Sequence, residues 1–208
     1  MAYNKQLPPP PKYADAPTWR GNSYDVGSRL VRTAWELLFT QDAANISLRE
    51  VAHAVGVSAP AAYNHFRDRN RLFAELAWGG LRMLTTELLD LIPDELDSMP
   101  KGLVPGVCKA WLKFAEDRPR HYALMFSREF NDAERYPNVA ESRTNLRQFL
   151  RVMSAREIGF EPPAAEADLA LALIHGAAAL IASGDAKFST KQVAVAVERQ
   201  LAAVKKSR

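Results

Sequence analysis

From Ser23 almost to the end of the chain, apolar residues recur at helical spacing, and no alternating strand run stands between turn signals. Leu30, Val31, Ala34, Leu37 and Leu38 form one stripe, predicting a first helix that ends near Thr40. Asp42 to Asn45 has turn chemistry. Ser47-Leu48-Arg49-Glu50 then has the form of a capping box, opening a second helix that carries Leu48, Val51, Ala52 and Val55 inward and stops at Gly56. Ser58 caps a third short helix, where Pro60 is tolerated because a first-turn amide has no helical partner, and Phe66 ends it. Asp68 caps a long fourth helix through Leu72, Leu76, Leu81, Leu84, Leu88 and Leu91, terminated by Pro93.

Beyond the Pro100-Lys101-Gly102 break, helices are predicted at Val104–Glu116, His121–Phe126, Asn138–Ile158, Ala164–Ser183 and Thr190–Lys205. Gly159 and Gly184 stand as their C-terminal caps. The fold class is all-α, with about nine helices. Residues 23–70 form an N-terminal helical unit and residues 71–208 a second helical domain, while residues 1–22, with five prolines and no period, read as an extended or disordered tail. Lys5, Lys12 and Arg20 would let that tail lie along phosphates or enter a minor groove, although a simple leader needs no such task.

Composition changes this picture little. A net charge of +3 permits a polyanionic partner without requiring one, so the distribution of charge decides. Cys108 is the single cysteine, which excludes an intramolecular disulfide and fits a reducing, cytoplasmic compartment; flanked by Val107 and Trp111, it reads as a buried small hydrophobe. No uninterrupted apolar run of about 18 residues marks a membrane span.

The stretch Leu48 to Phe66 is the most informative. A helix-turn-helix needs a small residue where its helices cross, a turn residue that accepts positive φ, and apolar contacts that fix the angle. Ala52 supplies the first, Gly56 the second, and Val51, Val55, Val57 and Ala62 the third. The second helix opens with Ser58, Ala59, Pro60 and Ala61, short side chains that allow close approach to a major-groove floor and apolar contact with thymine methyls. Tyr63, Asn64 and His65 follow at a height suited to phosphate oxygens, and Arg67, Arg69 and Arg71 cluster at the next corner, where their cations and the free amides of the long helix's N-terminus suit a phosphate, Arg69 among the expected DNA contacts. Spacing alone would fit two packed helices of any all-α domain equally well.

The residue identities decide. Ser47-Leu48-Arg49-Glu50-Val51-Ala52, Val55-Gly56-Val57-Ser58, and Tyr63-Asn64-His65-Phe66 followed by Arg69 and Leu72-Phe73 strongly resemble the TetR/AcrR family of transcriptional regulators over Ser28 to Leu76. The resemblance implies phosphate contacts from Ser47, Ser58, Tyr63 and His65, and base contacts from the start of the third helix. Two positions depart from the pattern: Arg69 stands where the family usually has Lys, and no glycine precedes the second helix, so that Asn45 is expected to take the left-handed conformation.

The second half is similar to the branch of that family whose regulatory domain is named for Trp, His and Gly. The carrying segments are Trp111 to Pro119, Ala123 to Ser127, and Ile174-His175-Gly176-Ala177-Ala178. Residues 164–183 are apolar nearly all round, and Val193, Val197, Leu201 and Val204 stripe the last helix; the two would meet their symmetry mates in a four-helix interface. Trp111, Phe114, Tyr122, Met125, Phe126, Phe149, Met153 and His175 are candidates to line a cavity for a largely apolar effector, or serve as ordinary core. His175, alone on an apolar helix, fits a hydrogen-bonded core histidine better than a ligand anchor.

An all-helical enzyme and a protein-binding scaffold are the rival readings. The four histidines show no metal-ligand spacing, and neither a phosphate loop nor a nucleophile motif occurs, so no metal, cofactor or catalytic residue is expected. A scaffold would leave Tyr63-Asn64-His65 without a task. The expectation is therefore a cytoplasmic, homodimeric DNA-binding regulator, expected to be a repressor, that binds a palindromic operator in double-stranded DNA and is released by a small-molecule effector.

Overall fold

The computed structural model describes residues 25–92 and 102–207. The tail of residues 1–22, and Pro93 as terminator of the fourth helix, lie outside the described residues. Within them the chain is all-helical: α1 (Val26–Leu37), α2 (Leu48–Val55), α3 (Ala59–His65), α4 (Arg69–Leu89), α5 (Val104–Asp117), α6 (Pro119–Met125), α7 (Pro137–Ile158), α8 (Ala164–Ser183) and α9 (Thr190–Lys206). Boundaries fall within a few residues of those the hydrophobic pattern predicts.

α1, α2 and α3 form a small head whose core is Leu30, Val31, Ala34, Leu48, Val51, Ala52 and Ala62. Helices of seven and eight residues are marginal by themselves. Here local chemistry holds them. Asp25 accepts from the Ser28 amide, Ser47 forms the full capping box with Glu50, Ser58 accepts from the Ala61 amide, and Asp68 accepts from the Arg71 amide at the start of α4.

α4 belongs to both halves. It packs on α1 at one end and on α5, α6 and α7 further along, and is buried over most of its circumference. At Gly80 a Cβ would come within 2.8 Å of Met125 Cγ, so the missing side chain lets α6 lie close across α4. α5, α8 and α9 pack on one another, with α7 and α6 completing the bundle around Trp111, Phe114, Leu150, Ile174 and Val197. Cys108 is buried there, and burial pushes its thiol up to about 12, which leaves it a protonated core residue.

α8 is the exception to good burial. It is long and apolar enough to cross a membrane by length and composition alone, yet only 28% of its most apolar window is covered within this chain. Leu169 and Leu180 are exposed, and a Cβ added at Gly176 would meet nothing within 4 Å. Within the chain α8 buries one stripe, Ala167, Ala170, Ile174, Ala177 and Ala178, and leaves the rest of its apolar surface less covered.

Candidate nucleic-acid interface

The turn between α2 and α3 is made by Gly56, whose φ of 77° is left-handed and therefore suits glycine. The amides of Gly56 and Val57 fold back onto the carbonyls of His53 and Ala52 at 3.0 Å each, closing the end of α2. Arg29 on α1 donates from Nη2 to the Val55 carbonyl at 2.5 Å, placing a cation at that same helix C-terminus. The corner is thus fixed from two sides.

Ser47 and Ser58 are exposed at the starts of α2 and α3. The Ser47 hydroxyl accepts from the Glu50 amide at 3.1 Å and the Ser58 hydroxyl from the Ala61 amide at 3.3 Å. Each hydroxyl hydrogen remains free to donate outward, so a capping role and a phosphate contact are compatible. Glu50 is held in turn by Gln41, whose amide donates to it at 2.9 Å.

On α3, Pro60, Tyr63, Asn64 and His65 are exposed, Ala59 and Ala61 are half-buried, and Ala62 is fully buried. Tyr63 is 46% exposed, unusual for an aromatic of its size. Neither Tyr63 nor Asn64 has a hydrogen-bond partner among the described residues. His65 leans on the start of α1: a Cβ added at Gly27 would lie 3.3 Å from His65 Nδ1 and 3.1 Å from Asp25 Oδ2.

The basic corner differs from expectation. Arg69 does not face outward; its Nε donates to the Ile46 carbonyl at 2.9 Å, its Nη2 donates to the Ala43 carbonyl, and its guanidinium lies 4.2 Å over the Phe73 ring. A guanidinium can hold two carbonyls at once where an ammonium acts as a point charge, so Arg69 fastens the loop that precedes α2. Arg71 donates to the Arg135 carbonyl at 2.6 Å, and Asp68 pairs with Arg135 at 3.1 Å. Of the three arginines only Arg67 lacks a partner among the described residues. Asn45, expected to be left-handed, lies in a right-handed 3-10 turn, Ala43–Asn45, whose end Arg69 secures.

The head is tied to the second half by contacts that no local pattern announces. His121 on α6 donates from Nε2 to the Trp35 carbonyl at 2.9 Å and packs, tilted by 52° and 54°, against the Trp35 and Phe39 rings. Burial lowers its pKa to about 4, so the ring is neutral and Nδ1 is left an unprotonated acceptor with no partner among the described residues. Its neighbour Arg120 donates to Asp42 at 2.8 Å and to the Phe39 carbonyl at 2.9 Å.

In the second half, Trp111 Nε1 donates to the Tyr122 hydroxyl at 2.8 Å, and that hydroxyl shares a second hydrogen bond, of 2.7 Å, with His175 Nδ1. The Phe126 ring packs, tilted, against both Tyr122 and His175, with centroids at 4.9 and 4.3 Å. Phe114, Met125, Phe149 and Met153 are buried. Of the eight candidate lining residues, direct contacts join Trp111, Tyr122, Phe126 and His175. A surface cleft of about 790 Å³ is lined by other residues, Asp42, Arg69, Arg120, Glu129 and Ser183 among them. His175 is bonded, as a core histidine is, and burial together with the Arg143 charge lowers its pKa.

Comparison with known proteins places these elements. Residues 30–76 match the model for bacterial regulatory proteins of the tetR family, and residues 104–204 match the tetracyclin repressor-like C-terminal domain. A nucleoid occlusion factor, SlmA, from Vibrio campbellii is 32% identical over 125 residues, 57% of this chain and 62% of that protein. The alignment thus spans under two thirds of that relative's length. Among solved structures, a protein of unknown function from Rhodococcus sp. RHA1 superposes with a TM-score of 0.66 at 23% identity, covering 88% of this chain and 96% of that one. A tetR-family transcriptional regulator from Streptomyces coelicolor gives 0.63 at 17%, covering 86% and 79%. With the helix-turn-helix at Leu48–His65 inside one matched segment and α5 to α8 and most of α9 inside the other, the chain belongs to the TetR family of bacterial transcriptional regulators.

Proposed function

We propose that the protein is a homodimeric repressor that binds a palindromic operator and is released by a small molecule. The observation that carries the reading is the exposure of α3: a two-turn helix held rigidly at its turn presents Pro60, Tyr63 and Asn64 to solvent with no task inside the chain. Ser47, Ser58, Tyr63 and His65 lie around it as phosphate donors, with Ala59, Pro60 and Ala61 at the start of the helix. Arg69 acts one step back, by fixing the loop that carries Ser47.

The exposed apolar face of α8 supports pairing with a second copy, α8 and α9 meeting their mates. Two heads would then enter successive major grooves, with half-site centres about 34–36 Å apart or a multiple of that. An effector that enters among Trp111, Tyr122, Phe126 and His175 must part α6 from α8. α6 is the helix whose Arg120 and His121 hold α1, so its displacement would shift the head. A ligand with higher affinity for the parted form lowers operator affinity by that difference. These roles require no metal or cofactor, and the site of action is the cytoplasm.

The test is fluorescence anisotropy of the full chain with duplexes from the promoter region beside its own gene. Specific binding should appear with log affinity falling linearly as log salt rises. Absence of salt-dependent binding to any such duplex, or to bulk DNA, would overturn the reading.

A further inference from the structure

α3 is short enough for its outward face to be assigned residue by residue. Successive side chains turn by about 100° around a helix axis. Ala62 is fully buried against the head, which fixes the inward direction. Pro60 and Asn64, two positions to either side, then point within about 20° of the opposite direction. Both are exposed, as that geometry requires. Ala61 and Tyr63 flank them. Ala59 and His65 fall about 60° from Ala62, back toward the protein. The half-burial of Ala59 agrees with this placement, and His65, exposed at the end of the helix, lies against the start of α1.

The chemistry of that face is narrow. Residues 59–65 contain no Lys or Arg, the side chains that read guanine O6 and N7. Arg67 lies beyond the C-cap Phe66, and the Arg69 guanidinium is held by two loop carbonyls. Asn64 is the one amide on the face, and it has no hydrogen-bond partner among the described residues. An amide matches adenine, its oxygen accepting from N6–H and its nitrogen donating to N7. Pro60 and Ala61 offer only carbon, which suits the thymine methyl.

We propose that Asn64 is the base-reading residue and recognises an adenine, with Pro60 and Ala61 packed on thymine methyls, so that each half-site is specified at A·T pairs. This assignment rests on the DNA-binding function proposed above and moves Asn64 from the phosphates to the base edges. Ala59, turned inward, takes no part in it.

The experiment selects duplexes from a random library with the full-length protein, then edits single atoms in the enriched half-site. Half-sites should carry an adenine beside thymines where α3 lies. Replacing that adenine by 7-deazaadenine, which lacks N7, should weaken binding about tenfold. Replacing each contacted thymine by uracil, which lacks the methyl, should weaken it about fourfold. In Asn64→Ala the 7-deaza penalty should vanish while the uracil penalty remains. Guanine-centred half-sites, a 7-deaza penalty unchanged in Asn64→Ala, or uracil duplexes bound as tightly as thymine ones would each overturn the assignment. Enriched sites insensitive to both substitutions would do so while leaving the DNA-binding function intact. Failure to enrich or bind any duplex would remove both together.

Discussion

The two halves of the molecule are stabilised in opposite ways. In the head and at the start of α4, each helix begins on a side chain that accepts a backbone amide: Asp25, Ser47, Ser58 and Asp68. In the bundle, α5 to α8 begin without such a bond, three of them with a proline in the first turn, and only α9 repeats a capping box at Ser189. The bundle helices run to 22 residues and bury large side chains, so packing dominates their stability. The head helices are too short for that, and their free face must stay polar. What each half exposes differs in the same sense: Tyr63, Asn64 and His65 on α3, against Leu169 and Leu180 on α8. A polar, rigidly held face suits a hydrated polyanion; a bare apolar face suits another copy of the chain.

Between the halves, the Trp35–His121 contact joins one mode of stabilisation to the other. Trp35→Ala should cost about 3–5 kcal/mol, the usual range for deleting a buried tryptophan, because the indole is 1% exposed and packs on His121. Urea unfolding measures it; a loss below about 1 kcal/mol would mean the halves are not joined there. His121 gives the next effect. With its pKa lowered from 6.5 to about 4 by burial, its contribution is complete above pH 6.5 and is lost as pH falls through that window, by about 3 kcal/mol in all. His175 is displaced in the same direction and adds to the loss. Stability measured at pH 7 and pH 5 should differ, and His121→Gln should flatten the difference.

Gly176→Leu probes the outer face. The added side chain has open space within the chain, so the monomer should fold, while dimer dissociation should increase about tenfold or more, near 1.4 kcal/mol. Light scattering that shows an undisturbed dimer would remove α8 from the interface. Ser47→Ala should cost about 1 kcal/mol by loss of its cap, an effect confined to the head and visible as faster amide exchange in α2. The smallest effect is expected of Arg69→Gln on the salt dependence of DNA binding. A phosphate contact would lower the slope by about one unit. An arginine bonded to the Ile46 and Ala43 carbonyls should leave it unaltered and loosen the loop instead.

Much of this was legible in the residues. Helix ends are set by local chemistry, so the capping box at Ser47, the left-handed Gly56 and the cap at Ser58 could be read directly, and the helix-turn-helix followed. Arg69 could not be placed, because whether a guanidinium finds a phosphate or a carbonyl depends on a loop 23 and 26 residues away. The same holds for His121, whose partner Trp35 is 86 residues distant, and for the Trp111–Tyr122–His175 chain. The sequence by itself determined where helices start and stop and which faces are apolar, since those depend on neighbours within about four residues along the chain. Only the tertiary structure decided which apolar faces remain uncovered and which polar groups are already bonded, since both are properties of elements meeting in space.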